Sequence, residues 1–157
     1  MMDHPGFIKI VKWCNYRERC SAEVLIKCRE LGLADDDSKK ILQQLIKEKF
    51  IDDQRFAIQF AKGKASIKKW GKKKIENELR KRKIDLQIIK HAIADIESDN
   101  YDENLLKIAQ KKWEQITAKE SRSFHIQQKM MQYLYQKGYS MDEIKSVIEL
   151  IKNKKAP

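Results

Sequence analysis

The residues of this chain best suited to chemistry are cations. Lys62, Lys64, Lys68, Lys69, Lys72, Lys73, Lys74, Arg80, Lys81, Arg82 and Lys83 stand within one short stretch, against only Glu76 and Glu78. That surplus is most of the +11 carried by all 157 residues, so the positive field has one origin near the middle of the chain. Cations this dense attract polyanions, because every phosphate they neutralise releases counterions and adds salt-dependent affinity. The same run can equally be a solvated helix face, or meet an acidic protein surface. Trp70 lies inside it and either stacks on a base or wedges a helix junction. Arg55, just upstream, either pairs within its own helix with Asp52 or Asp53 or reaches a partner.

Other chemistries lack their residues. His4, His91 and His125 are isolated, with no His or Cys four positions away, so no metal site is expected. The single glycine of Lys62-Gly63-Lys64 cannot form a phosphate cradle, and no G-x-S-x-G elbow is present. The paired acids Asp52/Asp53 and Asp35–Asp37 are accounted for as helix starts. No catalytic residue, cofactor or metal is expected, and the chain reads as a non-enzyme. Cys14, Cys20 and Cys28 are odd in number and have no C-x-x-C spacing, which fits a reducing cytoplasm. The start, MMDHPGF, lacks the pattern of a signal peptide, and no apolar run approaches the ~20 residues of a membrane span.

The elements that must position the cations are helices. Five glycines and two prolines among many Lys, Ile, Leu, Glu and Gln predict an all-α chain. Apolar stripes at helical spacing run through Phe7, Ile10, Val11 and Cys14, then Val24, Leu25, Cys28 and Leu31, then Ile41, Leu42, Leu45, Ile46 and Phe50. Ser21 reads as the cap of the second helix, and Gly32 as the left-handed residue that closes it. The fourth helix, capped by Asp52 or Asp53, turns Phe56, Ala57, Phe60 and Ala61 inward, with Ile67 near its end. Trp70-Gly71 breaks it. A fifth helix over Lys72–Lys83 buries Ile75 and Leu79, with Glu76–Arg80 and Glu78–Arg82 placed to pair. A sixth buries Leu86, Ile89, Ala92, Ile93 and Ile96.

Three more helices follow. The seventh carries Leu105, Leu106, Ala109, Trp113 and Ile116. The eighth carries Phe124, Met130, Met131 and Leu134, and stops at Gly138. A capping box of Ser140 and Glu143 opens the ninth, with Ile144, Val147, Ile148 and Ile151 inward. The nine fall into three aligned groups. Leu33, Ile84 and Tyr139 hold the same place after each second helix, and Ile89/Ile93 match Ile144/Ile148. A repeat of about fifty residues is that of a helical array, in which each unit buries part of its face on its neighbours. The expected units are residues 1–50, 51–98 and 99–157, three tandem three-helix, helix-turn-helix-like repeats in an elongated curved array.

The segment Asp52-Asp53-Gln54-Arg55-Phe56-Ala57 is similar to the D-x-R-[FY]-A block of the RecX family. Trp70-Gly71, Lys73-Lys74-Ile75, Glu78-Leu79 and Ile84 resemble the family's next block. Ser21, Glu23 and Val24 upstream, and Tyr135 to Ser140 downstream, fit in order. The resemblance implies a monomeric cytoplasmic regulator of the RecA recombinase in homologous recombination, DNA repair and the SOS response. Such a protein lies in the groove of the RecA–DNA filament and restrains its growth, ATP hydrolysis and strand exchange. DNA, single- or double-stranded, is then met weakly or through the filament. Arg82-Lys83 departs from the family pattern, in which a glycine often ends that helix. The competing reading is a helix-turn-helix DNA-binding protein or transcription factor.

Overall fold

The computed structural model describes residues 4–155. Among these, the regular structure is nine α-helices: α1 (Pro5–Cys14), α2 (Ser21–Glu30), α3 (Asp35–Lys47), α4 (Asp53–Ser66), α5 (Lys72–Lys81), α6 (Leu86–Glu97), α7 (Tyr101–Thr117), α8 (Ser123–Lys137) and α9 (Met141–Lys155). They form three tandem three-helix repeats.

Local chemistry sets most helix starts. The Asp52 carboxylate accepts from the Arg55 amide at 3.0 Å, and Asp85 from Gln87 at 2.9 Å. Ser140 and Glu143 form the reciprocal box, at 3.0 and 3.2 Å. Two starts depart from a simple Asp or Ser side-chain cap. Pro5 is already helical, with His4 capping the Gly6 amide at 3.1 Å, because proline suits the first helical position. Ser21 is the first residue of α2 rather than its cap. Cys20 holds the cap position, and its amide donates to Glu23 at 3.3 Å.

Gly32 and Gly138 take the left-handed conformation at helix ends, and so do Lys49, Lys69 and Lys83. Lys83 sits where glycine was expected and keeps glycine's geometry, with φ of 56°. Its amide donates to Arg80 at 2.9 Å, and the Ile84 amide reaches Leu79 at 3.2 Å, which closes α5. A side chain at this φ costs about 1–2 kcal/mol. Lys83→Gly relieves that but loosens the unfolded chain, so the expected net gain is about 0.5–1 kcal/mol in a urea melt.

The buried residues form two cores. Phe7, Ile10, Val24, Cys28, Ile41 and Leu45 pack within the first repeat. Repeats two and three share one continuous core, to which α4, α5, α6, α7, α8 and α9 all contribute. Cys20 is the buried residue of the α1–α2 connection that enters this larger core. Four expected core residues, Ile46, Ile67, Leu86 and Phe124, are exposed. Each lies in the first or last turn of its helix or just past it, where the apolar stripe overhangs the neighbour that covers its middle. Tyr101, Ile126 and Tyr139 are buried instead.

Candidate polyanion-binding surface

The cationic segment is held by the junction of repeats two and three. The Gly71 amide donates to the Lys137 carbonyl at 2.7 Å, and the Lys73 amide to Gly138 at 3.1 Å. The Tyr139 hydroxyl donates to the Lys69 carbonyl at 2.9 Å. The Tyr101 hydroxyl accepts from the Lys72 amide at 3.0 Å. Burial pushes both phenols far above their ordinary pKa, so both stay protonated. Lysines 68 to 74 are therefore a fixed edge rather than a loose run.

Along this edge cations and rings alternate. The Arg82 guanidinium lies 4.8 Å from the Phe60 ring. Lys64 lies 5.4 Å from Phe60 and 4.8 Å from Trp70. Lys74 covers Trp70 at 4.5 Å, and Phe60 meets Trp70 edge-on with centroids 6.4 Å apart. The third repeat continues the pattern, with Lys112 at 4.7 Å and Lys137 at 5.9 Å from the Tyr133 ring. Lys137 also donates to the Lys68 carbonyl at 3.1 Å. Burial and the neighbouring ammonium groups of Lys74 and Lys68 hold the Lys137 pKa below its usual value. Like charges held this close are relieved by an anion. Trp70 thus has its ring engaged by the chain's own lysines, which favours phosphate contact over base stacking.

The remaining nominated residues divide by partner. Lys62 pairs with Asp95 at 3.2 Å and Lys72 with Glu97 at 2.8 Å. Lys69 donates to Asn104 at 3.1 Å. Lys81 and Arg82 each reach Glu78 at 3.1 Å, and these bonds, from Lys81 first, hold the Glu78 carboxyl below the usual range. The expected Glu76–Arg80 pair is not made. Lys68, Lys73, Arg80 and Lys83 are exposed, and their side chains carry no ion pair or hydrogen bond among the described residues.

Arg55 corrects the expectation of a pair within its own helix. It reaches neither Asp52 nor Asp53 through its guanidinium, nor solvent freely. Its Nε bonds Glu18 of the first repeat at 2.8 Å, and its Nη2 bonds the carbonyls of Lys49 and Phe50 at 3.2 and 3.3 Å. The three acceptors ring one guanidinium fork, which short-range pairing rules cannot foresee. Asp53 likewise crosses to the Ser21 amide at 2.7 Å, and Arg82 approaches Glu23 at 3.9 Å. Repeat one is thus joined to repeat two by polar contacts as well as by buried apolar ones such as Cys20 and Ile51. Arg55→Ala should destabilise the protein by about 1–2 kcal/mol, discounted for partial exposure, in a urea melt. It should leave polyanion affinity within about twofold.

Sequence reasoning missed Lys112, Tyr133 and Lys137. Nothing along the chain signals them, because they are brought to repeat two through the Gly71–Gly138 contact. Among the described residues, no group of three or more His, Cys, Asp or Glu could hold a metal ion. No helix is long and apolar enough to cross a membrane.

A tandem array of three-helix repeats with a fixed cationic edge is the class that fold and surface define. Residues 52–93 match the family model for the second three-helix domain of RecX, and residues 99–148 that for the third. The chain belongs to the RecX family. Regulatory protein RecX of Clostridium acetobutylicum is 32% identical over 131 residues, covering 82% of this chain and 60% of that protein. The Clostridium botulinum protein of the same name, from strain Alaska E43, is 31% identical over 118 residues, covering 75% and 55%. The chain thus spans less than two thirds of the length of these relatives. The crystal structure of RecX from Lactobacillus salivarius superposes with a TM-score of 0.83 at 25% identity, covering 94% of each chain.

Proposed function

We propose that this protein acts without catalysis, as a monomer in the cytoplasm. It docks along a RecA–DNA filament and restrains filament growth, ATP hydrolysis and strand exchange. Membership of a regulatory family supports the role. The observation that carries it to a surface is the convergence of Lys68, Lys74 and Lys137 beside Trp70, from two repeats locked backbone to backbone. A cationic edge held at fixed spacing suits a charged groove whose phosphates are regularly spaced. DNA, single- or double-stranded, is the polyanion met there, alone weakly or within the filament. On this reading the repeats 1–50, 51–98 and 99–157 divide the work. The middle one, with Lys62, Lys64, Lys68, Lys69, Lys72, Lys73, Lys74, Arg80, Lys81, Arg82 and Lys83, supplies most of the cations.

The test is DNA-dependent ATP hydrolysis by the cognate recombinase with this protein added. Inhibition at near-stoichiometric ratios is expected, and an unchanged rate there rejects the reading. Preference for one duplex sequence by ~10³ or more would instead favour a helix-turn-helix transcription factor.

A further inference from the structure

A second surface carries the opposite charge. Between α7 and α9 runs an open groove of about 530 Å³. Leu105, Leu106 and Val147 form its floor, and Leu150 stands at its end, 51% exposed. Asp102, Glu103 and Asp142 line the rim, and their side chains make no ion pair or hydrogen bond among the described residues. Glu143 also faces the groove, but its carboxylate serves the Ser140 cap. First-turn acids suit helix N-termini, which accounts for their presence at these positions. It does not account for the apolar groove between them, whose base of buried Leu105 and Val147 opens through half-buried Leu106 to exposed Leu150.

The sister repeat shows what is different here. Ile93 of α6 and Ile148 of α9 are in register, which sets Leu150 opposite Asp95. In repeat two Asp95 turns to Lys62 of α4 at 3.2 Å and ties the two helices with an ion pair. In repeat three that position is an exposed leucine, and the helix pair is left unbridged and apolar there.

We infer that the α7–α9 groove receives a cationic amphipathic helix from another protein, its apolar side chains on Leu106, Val147 and Leu150 and its lysines or arginines on Asp102, Glu103 and Asp142. Charge decides the occupant. Three unpaired carboxylates repel phosphates, so nucleic acid is excluded from this groove, and on a chain of net charge +11 they are an acidic island that draws a basic segment. Helix-in-groove docking uses about three apolar anchors at i, i+3/i+4 and i+7, which the floor accommodates. The molecule then has two independent attachment surfaces of opposite sign. None of the groove residues belongs to the cationic stripe, so this inference does not depend on the proposed function.

The probe is a fluorescein-labelled Leu/Lys peptide of about 15 residues with leucines at helical spacing, titrated against the full chain by anisotropy. Saturable binding in the micromolar range is expected, weakened roughly tenfold or more by Leu150→Lys and by the double variant Asp102→Asn/Asp142→Asn. Leu150 is exposed and these acids are at the surface, so the variants should fold, which a melting curve verifies. Arg80→Gln, in the cationic region, should leave the peptide affinity unchanged. No saturable binding, equal binding of a peptide of the same composition with its leucines out of register, or indifference to Leu150→Lys overturns the inference. So does a concentration-dependent dimer abolished by Leu150→Lys, since a second copy would then be the occupant.

Discussion

Gly71→Ala is expected to lower stability by about 3 kcal/mol or more, a drop in melting temperature of roughly 6–12 °C for a chain of this size. The reason is a contact between two backbones. A Cβ on Gly71 would fall on the carbonyl of Gly138 and the amide nitrogen of Tyr139. These are backbone atoms, which cannot rotate aside as a side chain does. The Gly71 amide is also committed to the Lys137 carbonyl at 2.7 Å, so the strand of chain cannot retreat without losing that bond. Gly138 faces the same restriction from the other side. Its φ is 100°, and a Cβ there would meet the Cβ and amide nitrogen of Lys74. The control is Gly63→Ala. Gly63 lies inside α4 with nothing within 4 Å of its would-be Cβ, and alanine there should stabilise by about 0.5–1 kcal/mol. Far-UV circular dichroism during urea and thermal unfolding reads both. Equal melts for Gly71→Ala and the parent chain would mean that the repeats do not meet in this way. The contact also bears on function, because it is what brings Lys74 of repeat two to Lys137 of repeat three.

What could be read in the sequence was whatever depends on neighbours along the chain. The caps at Asp52 and Ser140/Glu143 follow from rules spanning three residues. The buried stripes through Ile75 and Leu79, or Ile144 and Ile151, follow from a period of 3.6. The Glu78–Arg82 pair is a one-turn pair and was legible for the same reason. Long-range partnering was not. Glu18, Asp95 and Glu97 are far in sequence from Arg55, Lys62 and Lys72, and no periodicity announces that they meet. The local alternative for Arg80, a bond to Glu76, lost to solvent. Nor did composition reveal that Tyr101 and Tyr139 are buried, their rings 5.7 Å apart. Periodicity says nothing of their polar tips, whereas each hydroxyl serves a backbone group that the helix junction leaves unpaired. The division into two cores was equally hidden, since the three apolar stripes look alike and only the packing shows which ones merge.

This difference in partnering yields the second large expected effect. The triple change Lys68→Gln, Lys73→Gln and Arg80→Gln removes three cations that have no internal partner. Binding of this chain to single-stranded DNA should then lose about two units of slope in log affinity against log salt, and about a hundredfold in affinity at low ionic strength. The matched triple Lys62→Gln, Lys69→Gln and Lys72→Gln removes the same formal charge from the same region. Its lysines, however, are bound to Asp95, Asn104 and Glu97. A side chain held by an internal partner must give up that bond to reach a phosphate, so this triple should change the slope by less than about one unit. It should show its effect in the melt instead, where each uncovered acid is expected to cost at most about 1 kcal/mol because the pairs are partly exposed. Fluorescence anisotropy on a labelled oligonucleotide across a salt series, alongside urea melts of both proteins, separates the two outcomes. Equal slopes for the two triples would show that net charge alone governs binding, and the argument from a positioned cationic edge would fail. Unequal slopes, with stability lost only in the second protein, would mean that the fold sorts its own lysines into those held by internal partners and those that face outward for a polyanion.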